Sequence, residues 1–304
     1  MSGILIVGCG LSGCVLADLY SKVCNKNVTI VEKRNHIGGN CFDYVNNYGI
    51  RMNKYGAHLF HTNNERVFKY IQHYGNWIPW EHKVFGKIND VNFPIPINID
   101  TINILCNQNL CNENEMTEWL CRNKINHSII DNGQHAIESK IGKYLYETIF
   151  KEYTKKQWDK YPNELDASVL ERVPVRKNFD ERYFTDKYQV LPLDGYTKWF
   201  ENLLDNPKID VQLNTDFFSM NEQQLQTYEH IFFTGPIDVY FKNRRDVHLP
   251  TLEYRSINFE VINLEYTHLY QPNSVVNYPS KDVNFTRIVE YKHFLYQKSE
   301  HTTI

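Results

Sequence analysis

The chain has 304 residues, and its 33 basic and 36 acidic side chains give a formal net charge of −3, which offers no electrostatic basis for binding nucleic acid. Hydrophobic residues make up 42% and charged residues 23%, so disordered and fibrous classes are excluded. No apolar run has the length that a transmembrane helix needs, and no basic leader precedes the apolar start. We therefore expect about two domains, a small-molecule partner, no membrane or nucleic-acid partner, and a cytoplasmic location.

The first forty residues have the order of a dinucleotide-binding unit. A β-branched run, Ile4 to Val7, leads into glycines at 8, 10 and 13, an apolar-periodic helix and a second strand that ends at Glu32. Glycines at this spacing bring the backbone against a pyrophosphate, and the acid accepts a hydrogen bond from a ribose hydroxyl. The alternative is that the glycines only shape a turn, but this does not explain why Glu32 lies at the end of the second strand, where a ribose would be bound. The pair Gly38-Gly39 favours FAD over NAD, since many flavoproteins place such a pair against the diphosphate.

Cysteine and histidine spacing argues against a disulfide framework and a metal site. The seven cysteines are odd in number, none forms a Cys-x-x-Cys pair, and two lie in or beside the nucleotide turn, so we expect reduced thiols. His58 and His61 have no carboxylate or cysteine partner at ligand spacing, so we expect no metal.

The middle of the chain alternates between hairpin and helical patterns. A helix is predicted from Glu65 to Tyr74, and a hairpin from Lys83–Ile88 and Val91–Ile97 around Asn89-Asp90, with prolines typical of an edge strand. From residue 101 to 158 the apolar periodicity is helical, including a face that recurs every four residues from Ile137 to Tyr153.

Later segments return to strands. Strands are predicted at 188–191 and 210–213, with a turn at Asp194-Gly195 and a helix through Trp199 between them, and His230–Phe233 is predicted to rejoin the first sheet. Alternation predicts antiparallel strands over 254–270, 275–278 and 286–296. The predicted fold is mixed α/β (α+β): a discontinuous Rossmann-like FAD domain (1–65 and 187–240), a small helical domain (98–160) and an antiparallel sheet domain (66–97, 161–186 and 241–304, incomplete at its C-terminus).

Collinear motifs along the whole chain together resemble the UDP-galactopyranose mutase family. They are the opening turn with Glu32-Lys33-Arg34-Asn35-His36-Ile37-Gly38-Gly39-Asn40, Lys54-Tyr55-Gly56-Ala57-His58 with Phe60-His61-Thr62, Tyr153 to Trp158, Arg172-Val173-Pro174-Val175-Arg176, Thr234 to Asp238, Glu253 to Ser256, Thr286-Arg287-Ile288, and Lys292-His293-Phe294. The resemblance implies an FAD isomerase that interconverts UDP-galactopyranose and UDP-galactofuranose without net redox change. In that family the N5 atom of reduced flavin attacks the anomeric carbon and UDP leaves. The sugar ring then opens on the flavin and recloses as a five-membered ring before UDP returns.

The resemblance also assigns roles to residues. His58, Arg172 and Arg287 match the catalytic positions, with His58 beside the flavin N5 edge and the two arginines on the diphosphate, Arg172 on a mobile loop. The implied substrate-binding residues are Tyr153, Trp158, Arg172, Tyr183, Asn277 and Arg287. The implied FAD-binding residues are Gly8, Gly10, Leu11, Ser12, Gly13, Glu32, Lys33, Gly38, Gly39, Asn40, His58 and Gly235.

Two departures from the family pattern leave alternatives open. The turn before Tyr196 reads Asp194-Gly195 where the family carries a glycine pair, and family members continue past the position of Ile304 with a Gly-Gly-Arg segment and further tyrosine and aspartate residues. One alternative is therefore a truncated or split-gene N-terminal part that is inactive alone and needs a complementing C-terminal fragment. Another is an amine-oxidase-like flavin oxidoreductase, which the paired arginines argue against. A homodimer stays open as a partner.

Overall fold

Short β-branched and aromatic runs form the strands of the computed structural model, which describes residues 3–243 and 252–304. In chain order the strands are β1 (Gly3–Val7), β2 (Val28–Val31), β3 (Asp43–Val45), β4 (Arg51–Asn53), β5 (Phe60–Thr62), β6 (Trp77–Pro79), β7 (Val84–Ile88), β8 (Val91–Ile95), β9 (Tyr188–Pro192), β10 (Ile209–Gln212), β11 (Tyr228–Phe233), β12 (Asn263–Glu265), β13 (Val275–Asn277), β14 (Arg287–Val289) and β15 (His301–Thr303).

Most of the longer helices begin at an asparagine that accepts hydrogen bonds from their first turn. The helices are α1 (Leu11–Lys22), α2 (Glu65–Gln72), α3 (Ile99–Cys106), α4 (Glu113–Asn123), α5 (Gly133–Leu145), α6 (Glu152–Trp158), α7 (Ala167–Glu171), α8 (Tyr196–Leu204), α9 (Glu222–Leu225) and α10 (Ile237–Lys242). A π-helical segment, Tyr146–Lys151, joins α5 to α6, and 3₁₀ segments cover Gly39–Cys41, Pro162–Glu164, Phe217–Ser219 and Tyr291–Tyr296.

The chain forms two compact units, each built from two separate stretches. Unit 1 comprises Met1–Trp80 and Lys187–Phe259, and unit 2 comprises Glu81–Asp186 and Glu260–Ile304. The predicted domains divided the chain at other places: residues 66–80 lie in unit 1, and the helical stretch 98–160 shares unit 2 with strands. The reason is packing, since Ile71 of α2 is buried in the core of unit 1, and Phe93 of β8 is buried with the helices of unit 2. The parts of the predicted domains at residues 1–2 and 244–251 lie outside the described residues.

A four-stranded parallel sheet in the order β10-β2-β1-β11 organises unit 1. Val7, the last residue of β1, pairs with Val31 of β2 on one side and Phe233 of β11 on the other. Ile4 and Ile6 pack against α1 and α8, whereas Leu5 and Val7 pack on the opposite face, so β1 is buried on both faces as in parallel α/β sheets. The predicted return of the chain to the first sheet is confirmed. An antiparallel sheet, β5-β9-β6, and the pair β3-β4 complete the strands of unit 1.

Unit 2 combines a mixed sheet with a helical core. Its sheet has the order β14-β13-β7-β8, in which β7 and β8 form the predicted hairpin and β8, which contains Pro94, lies at an edge. Asn89 and Asp90 both have positive φ, as a tight two-residue hairpin turn requires. A separate pair, β12 and β15, joins residues 263–265 to residues 301–303.

Three predicted elements differ in the structure. Strand structure over 254–270 is limited to β12, and the segment predicted as one strand over 286–296 contains β14 followed by the 3₁₀ segment Tyr291–Tyr296. Buried polar side chains explain the second error, because Glu290 accepts from the Tyr270 N–H and Lys292 donates to the Thr267 carbonyl. Polar residues in this segment are therefore inside the protein, and their alternation with apolar residues does not mark the exposed face of a strand. The helical face from Ile137 onward is interrupted at Gly142, whose φ of 81° and close approach to the Asn123 carbonyl break the helix.

Candidate functional site

The turn between β1 and α1 is shaped by glycines that tolerate no side chain. Gly8 has a φ of 101°, and a Cβ on Gly13 would lie 2.0 Å from the Gly8 carbonyl oxygen. Gly10 precedes α1 and supplies no side-chain acceptor to its first turn, in contrast to the asparagines before α2 to α5. Leu11 and Ser12 are exposed at this helix start. The first turn of α1 therefore presents its backbone N–H groups and the positive end of the helix dipole to an anion.

The second glycine pair packs directly on this turn. Gly38 donates its N–H to the Cys9 carbonyl at 2.8 Å, and both Gly38 and Gly39 have positive φ. A Cβ on Gly39 would lie 2.8 Å from the Cα of Gly10. The two glycine motifs thus meet backbone to backbone and form one surface without side chains, which fits a dinucleotide diphosphate.

Glu32 is fixed at the end of β2 by the same turn. Its carboxylate is buried and accepts from the Cys9 N–H and the Arg34 N–H, each at 2.9 Å. A carboxylate has about four acceptor positions, so two stay available for ribose hydroxyls. Lys33, the next residue, is exposed.

Arg34 is a residue whose role the sequence analysis missed. Both of its terminal nitrogens lie 3.1 Å from the Asn40 side-chain oxygen, and its guanidinium lies over the ring of Tyr55, 4.5 Å from the centroid. This arrangement fixes Asn40 beside the second glycine pair. The signal in the sequence was a cation placed between the acid and the glycines.

Gly235 lies beside the turn, just after β11, the strand that pairs with β1 on the side opposite β2. Thr234, which follows β11, donates both its N–H and its hydroxyl to the Val7 carbonyl, at 2.9 and 2.8 Å. A Cβ on Gly8 would lie 2.7 Å from the Thr234 hydroxyl oxygen and 3.8 Å from the Gly235 nitrogen. The carboxyl ends of β1 and β11 therefore converge, which is where parallel sheets bind ligands.

His58 belongs to unit 1 but has a different contact. Its half-buried ring places Nδ1 at 2.8 Å from the Gly56 carbonyl, so Nδ1 carries the hydrogen and Nε2 faces away from that bond. Within residues 3–243 and 252–304, no group of three or more His, Cys, Asp or Glu side chains is arranged to hold a metal ion.

In unit 2, three of the predicted substrate residues come together. Arg287 donates from Nη2 to the Tyr153 hydroxyl at 2.8 Å, and Asn277 is the strand partner of Arg287 across β13 and β14. Burial raises the pKa of Tyr153, and the Arg287 charge opposes that effect only in part, so the phenol stays protonated at neutral pH. The Asn277 side-chain oxygen is buried and has no hydrogen-bond partner within the described residues, which leaves an acceptor for a ligand donor.

The other predicted substrate residues have no hydrogen bond to this group among the described residues, although Tyr183 is near enough to Tyr153 to influence its pKa. Arg172 is exposed at the end of α7, where its backbone N–H donates to the Leu170 carbonyl, and its guanidinium has no ion pair or hydrogen bond with the residues that the structure describes. Arg176, from the same motif, is buried and paired with Asp180 at 2.6 Å, so the two arginines differ in role. Tyr183 is 41% exposed, and Trp158 ends α6 half-buried.

His82 is a second residue that the sequence analysis missed. It is buried, its ring contacts that of Tyr183 at 5.8 Å between centroids, and its Nδ1 has no hydrogen-bond partner among the described residues. Burial, with a smaller contribution from the Arg287 charge, lowers the pKa of His82 to about 4. The ring is therefore neutral beside the arginine at physiological pH. His82 lies in no sequence motif that indicated a role for it.

Comparison with known proteins now identifies the family. The sequence profile of UDP-galactopyranose mutase matches residues 148–304, and that of an NAD(P)-binding Rossmann-like domain matches residues 6–74. A probable UDP-galactopyranose mutase of Klebsiella pneumoniae is 37% identical over 294 residues, covering 96% of this chain and 73% of the relative. The chain belongs to the UDP-galactopyranose mutase family.

A second relative and a solved structure add to this comparison. A dTDP-fucopyranose mutase of Escherichia coli is also 37% identical, over 302 residues, covering 97% of this chain and 78% of that protein. A crystal structure of reduced UDP-galactopyranose mutase superposes with a TM-score of 0.73 at 13% identity, covering 100% of this chain and 73% of that chain. The family is thus one of pyranose/furanose mutases, and the solved structure shows that the fold is shared. No helix in the described part of the chain has the length and apolar character needed to cross a membrane.

Proposed function

We propose that this protein interconverts UDP-galactopyranose and UDP-galactofuranose with reduced FAD. The observation that carries the proposal is the group formed by Arg287, Tyr153 and Asn277 in unit 2, since it joins a cation, a phenol and an unpaired amide oxygen. A guanidinium with a hydroxyl beside it can donate hydrogen bonds to the oxygens of a diphosphate, and an amide oxygen can accept one from a sugar hydroxyl or a base N–H.

The backbone surface of unit 1 supports FAD as the cofactor. The helix start at Gly10 and the glycine pair at 38–39 would hold the diphosphate, and Glu32 would accept from the adenosine ribose. Gly235 and His58 are proposed to lie along the cofactor as the family resemblance implies. When bound and reduced, FAD supplies a nucleophilic N5 for the anomeric carbon of the sugar.

The arginines are proposed to stabilise the departing diphosphate. When the bond between the anomeric carbon and the diphosphate breaks, the diphosphate gains negative charge, and fixed cations lower the energy of that state. Arg287 is held by Tyr153, whereas the exposed Arg172 guanidinium has no partner among the described residues and can turn toward the ligand. Tyr183 and Trp158 are proposed to contact the nucleotide.

A second candidate substrate is dTDP-fucopyranose. The observation that favours it is the Escherichia coli relative, which is as similar to this chain as the Klebsiella relative. The two substrates share the diphosphate and the ring chemistry, so the same arginines serve both.

The test is turnover by the chain after reduction with dithionite. UDP-galactopyranose and dTDP-fucopyranose are supplied separately, and the furanose products are resolved by chromatography. Product from the first substrate supports the proposal, and product from the second alone assigns the other specificity. Titration with FAD and NAD, followed by flavin absorbance and by fluorescence, checks the cofactor. Tight NAD binding without FAD binding contradicts it, and tight binding of FAD and UDP without turnover favours the inactive-part alternative.

Arg172 provides a residue test of the same proposal. We predict that Arg172→Ala weakens UDP binding by roughly ten- to 150-fold, because a charge-assisted contact to phosphate contributes about 1.5–3 kcal/mol. The matched control is Lys177→Ala, which removes another exposed cation five residues later. Calorimetric titration with UDP measures both, and equal affinities in the two variants would make Arg172 an ordinary solvated side chain.

A further inference from the structure

Lys156 of α6 points its ammonium into a ring of backbone carbonyls. Nζ lies within hydrogen-bond distance of four carbonyl oxygens: those of Tyr278, Ser280 at 2.8 Å, Phe285 at 3.0 Å and Val283 at 3.2 Å. The three ammonium hydrogens are therefore shared among four acceptors. All four carbonyls belong to the connection between β13 and β14. The ammonium is thus surrounded by carbonyl oxygens in the way that a bound monovalent cation would be.

The Lys156 ammonium links four points of this connection, whose two ends are also joined by a hydrogen bond from the Tyr278 N–H to the Thr286 carbonyl at 2.9 Å. Four carbonyl oxygens that face one point repel each other unless a positive charge lies between them. Burial lowers the pKa of Lys156, and the charge of Glu152 on the same helix opposes this. The four carbonyl acceptors around Nζ favour the ammonium form, which has three hydrogens to donate. The neighbouring Lys155 has a different role, since it bonds Asp159, the residue that follows α6.

The connection that Lys156 contacts carries the proposed diphosphate site at its two ends. Asn277 is the last residue before it, Arg287 is the first residue of β14 after it, and the two are strand partners. Arg287 in turn bonds Tyr153, which lies three residues before Lys156 and thus on the same side of α6. One helix therefore fixes both the loop and the guanidinium.

We propose that Lys156 is a positioning residue, whose ammonium orders the β13–β14 connection and thereby places Arg287 and Asn277 for the diphosphate of a nucleotide sugar. The inference rests on the proposed function, because it assigns Lys156 a part in that substrate site. Lys156 itself does not contact the ligand.

The first experiment compares Lys156→Met with Lys155→Met. Both remove one charge from α6 and keep an unbranched side chain. We expect the dissociation constant for UDP to rise at least tenfold in Lys156→Met and less than twofold in Lys155→Met, with FAD affinity unchanged in both. Unchanged UDP affinity in Lys156→Met, when Arg287→Ala has lost it, overturns the inference alone. Unchanged affinity in Arg287→Ala removes the proposed function and this inference with it.

A double-mutant cycle separates positioning from general stability. If Lys156 acts through Arg287, adding Lys156→Met to Arg287→Ala costs less than threefold more in UDP affinity, because the guanidinium that it positions is already absent. Fully multiplicative losses contradict the proposal.

Chemical rescue covers the outcome in which Lys156→Met does not fold. Lys156→Ala leaves space for a small cation within the carbonyl ring, so we expect propylammonium or potassium to restore UDP affinity at least fivefold over sodium at equal ionic strength. Lys155→Ala should show no such dependence. Equal affinity of Lys156→Ala in all three salts overturns the inference.

Discussion

Gly10 and Gly39 touch through backbone atoms alone, and this contact makes a sharp test of the cofactor surface. We predict that Gly39→Ala lowers FAD affinity at least tenfold, because its Cβ would lie 2.8 Å from the Gly10 Cα and push the two glycine motifs apart. Absorbance titration of the purified apoprotein with FAD measures the effect.

Gly49→Ala is the matched control for this variant. Gly49 also has a positive φ, 76°, but nothing lies within 4 Å of a Cβ placed there. The substitution should cost about 1–2 kcal/mol in stability, from backbone strain, and leave FAD affinity unchanged. A similar loss of FAD affinity in both variants would show that strain, rather than the contact with Gly10, is responsible.

His82 makes the stability of unit 2 depend on pH. Its pKa is about 4 in the folded protein and near 6.5 in an unfolded chain, so protonation favours the unfolded state. Stability is therefore complete above pH 6.5 and falls as the pH drops toward 4, by roughly 2–4 kcal/mol in all. We predict that His82→Phe, which keeps a ring in the same place, flattens this part of the profile.

Urea unfolding between pH 7 and pH 4 measures the His82 effect. The comparison is between the wild type and the variant, since burial also lowers the pKa of His36 in unit 1 and that residue contributes to both proteins. If the wild type and the variant have the same slope, His82 has equal pKa values in the folded and unfolded chains and does not contribute to the pH dependence of stability.

Among the elements, α8 depends on a carboxylate from elsewhere in the chain. Asp43 of β3 accepts from the Tyr196 N–H at 2.7 Å and from the Thr197 N–H at 2.8 Å, so it caps the helix. A Cβ on Gly195 would lie 2.5 Å from the Asp43 carboxylate, so a larger residue at this position would clash with the cap. Asp194, in contrast, is exposed. The departure from the family's glycine pair thus falls at the position that tolerates a side chain.

We predict that Asp43→Ala destabilises the protein by about 1–2 kcal/mol, the usual cost of a lost cap. Asp43→Asn, which keeps an acceptor oxygen, should lose less. Asp216→Ala provides a control, since it removes the cap of a three-residue 3₁₀ segment. Urea unfolding followed by circular dichroism gives the free energies, and equal stability of Asp43→Ala and the wild type would contradict the capping role.

Elements with local signals could be predicted from the sequence, and elements fixed by distant contacts could not. The hairpin at Asn89-Asp90 and the β1–α1 turn carry their own turn residues, so their positions were correct. The cap of α8 by Asp43 and the carbonyl ring around Lys156 join residues more than 100 positions apart, which no window of sequence shows. Family motifs located Tyr153, Arg287 and Asn277, but only the structure shows that these three meet.

At the scale of the whole molecule, the family-type C-terminal segment expected from the resemblance can be tested directly. We predict that appending it to residue 304 raises FAD affinity and turnover, because its Gly-Gly-Arg would add two or three contacts to the flavin at about 1–3 kcal/mol each. Flavin occupancy and turnover are measured with and without the segment.

A scrambled segment of the same length serves as the control for that addition. Full flavin occupancy and family-like turnover in the unextended chain would refute the prediction. Gel filtration belongs to the same experiment, since β14 is an edge strand of its sheet and edge strands favour self-association.

The sheet order of unit 1 also has a consequence for synthesis on the ribosome. β1 lies between β2 and β11, yet β11 is made about 220 residues after β1. At roughly 5–20 residues per second, one side of β1 waits on the order of 10–45 s for its neighbour. During that interval one apolar edge of β1 is open to chaperones and to other chains, and synonymous codons that slow translation of residues 81–186 would lengthen the exposure.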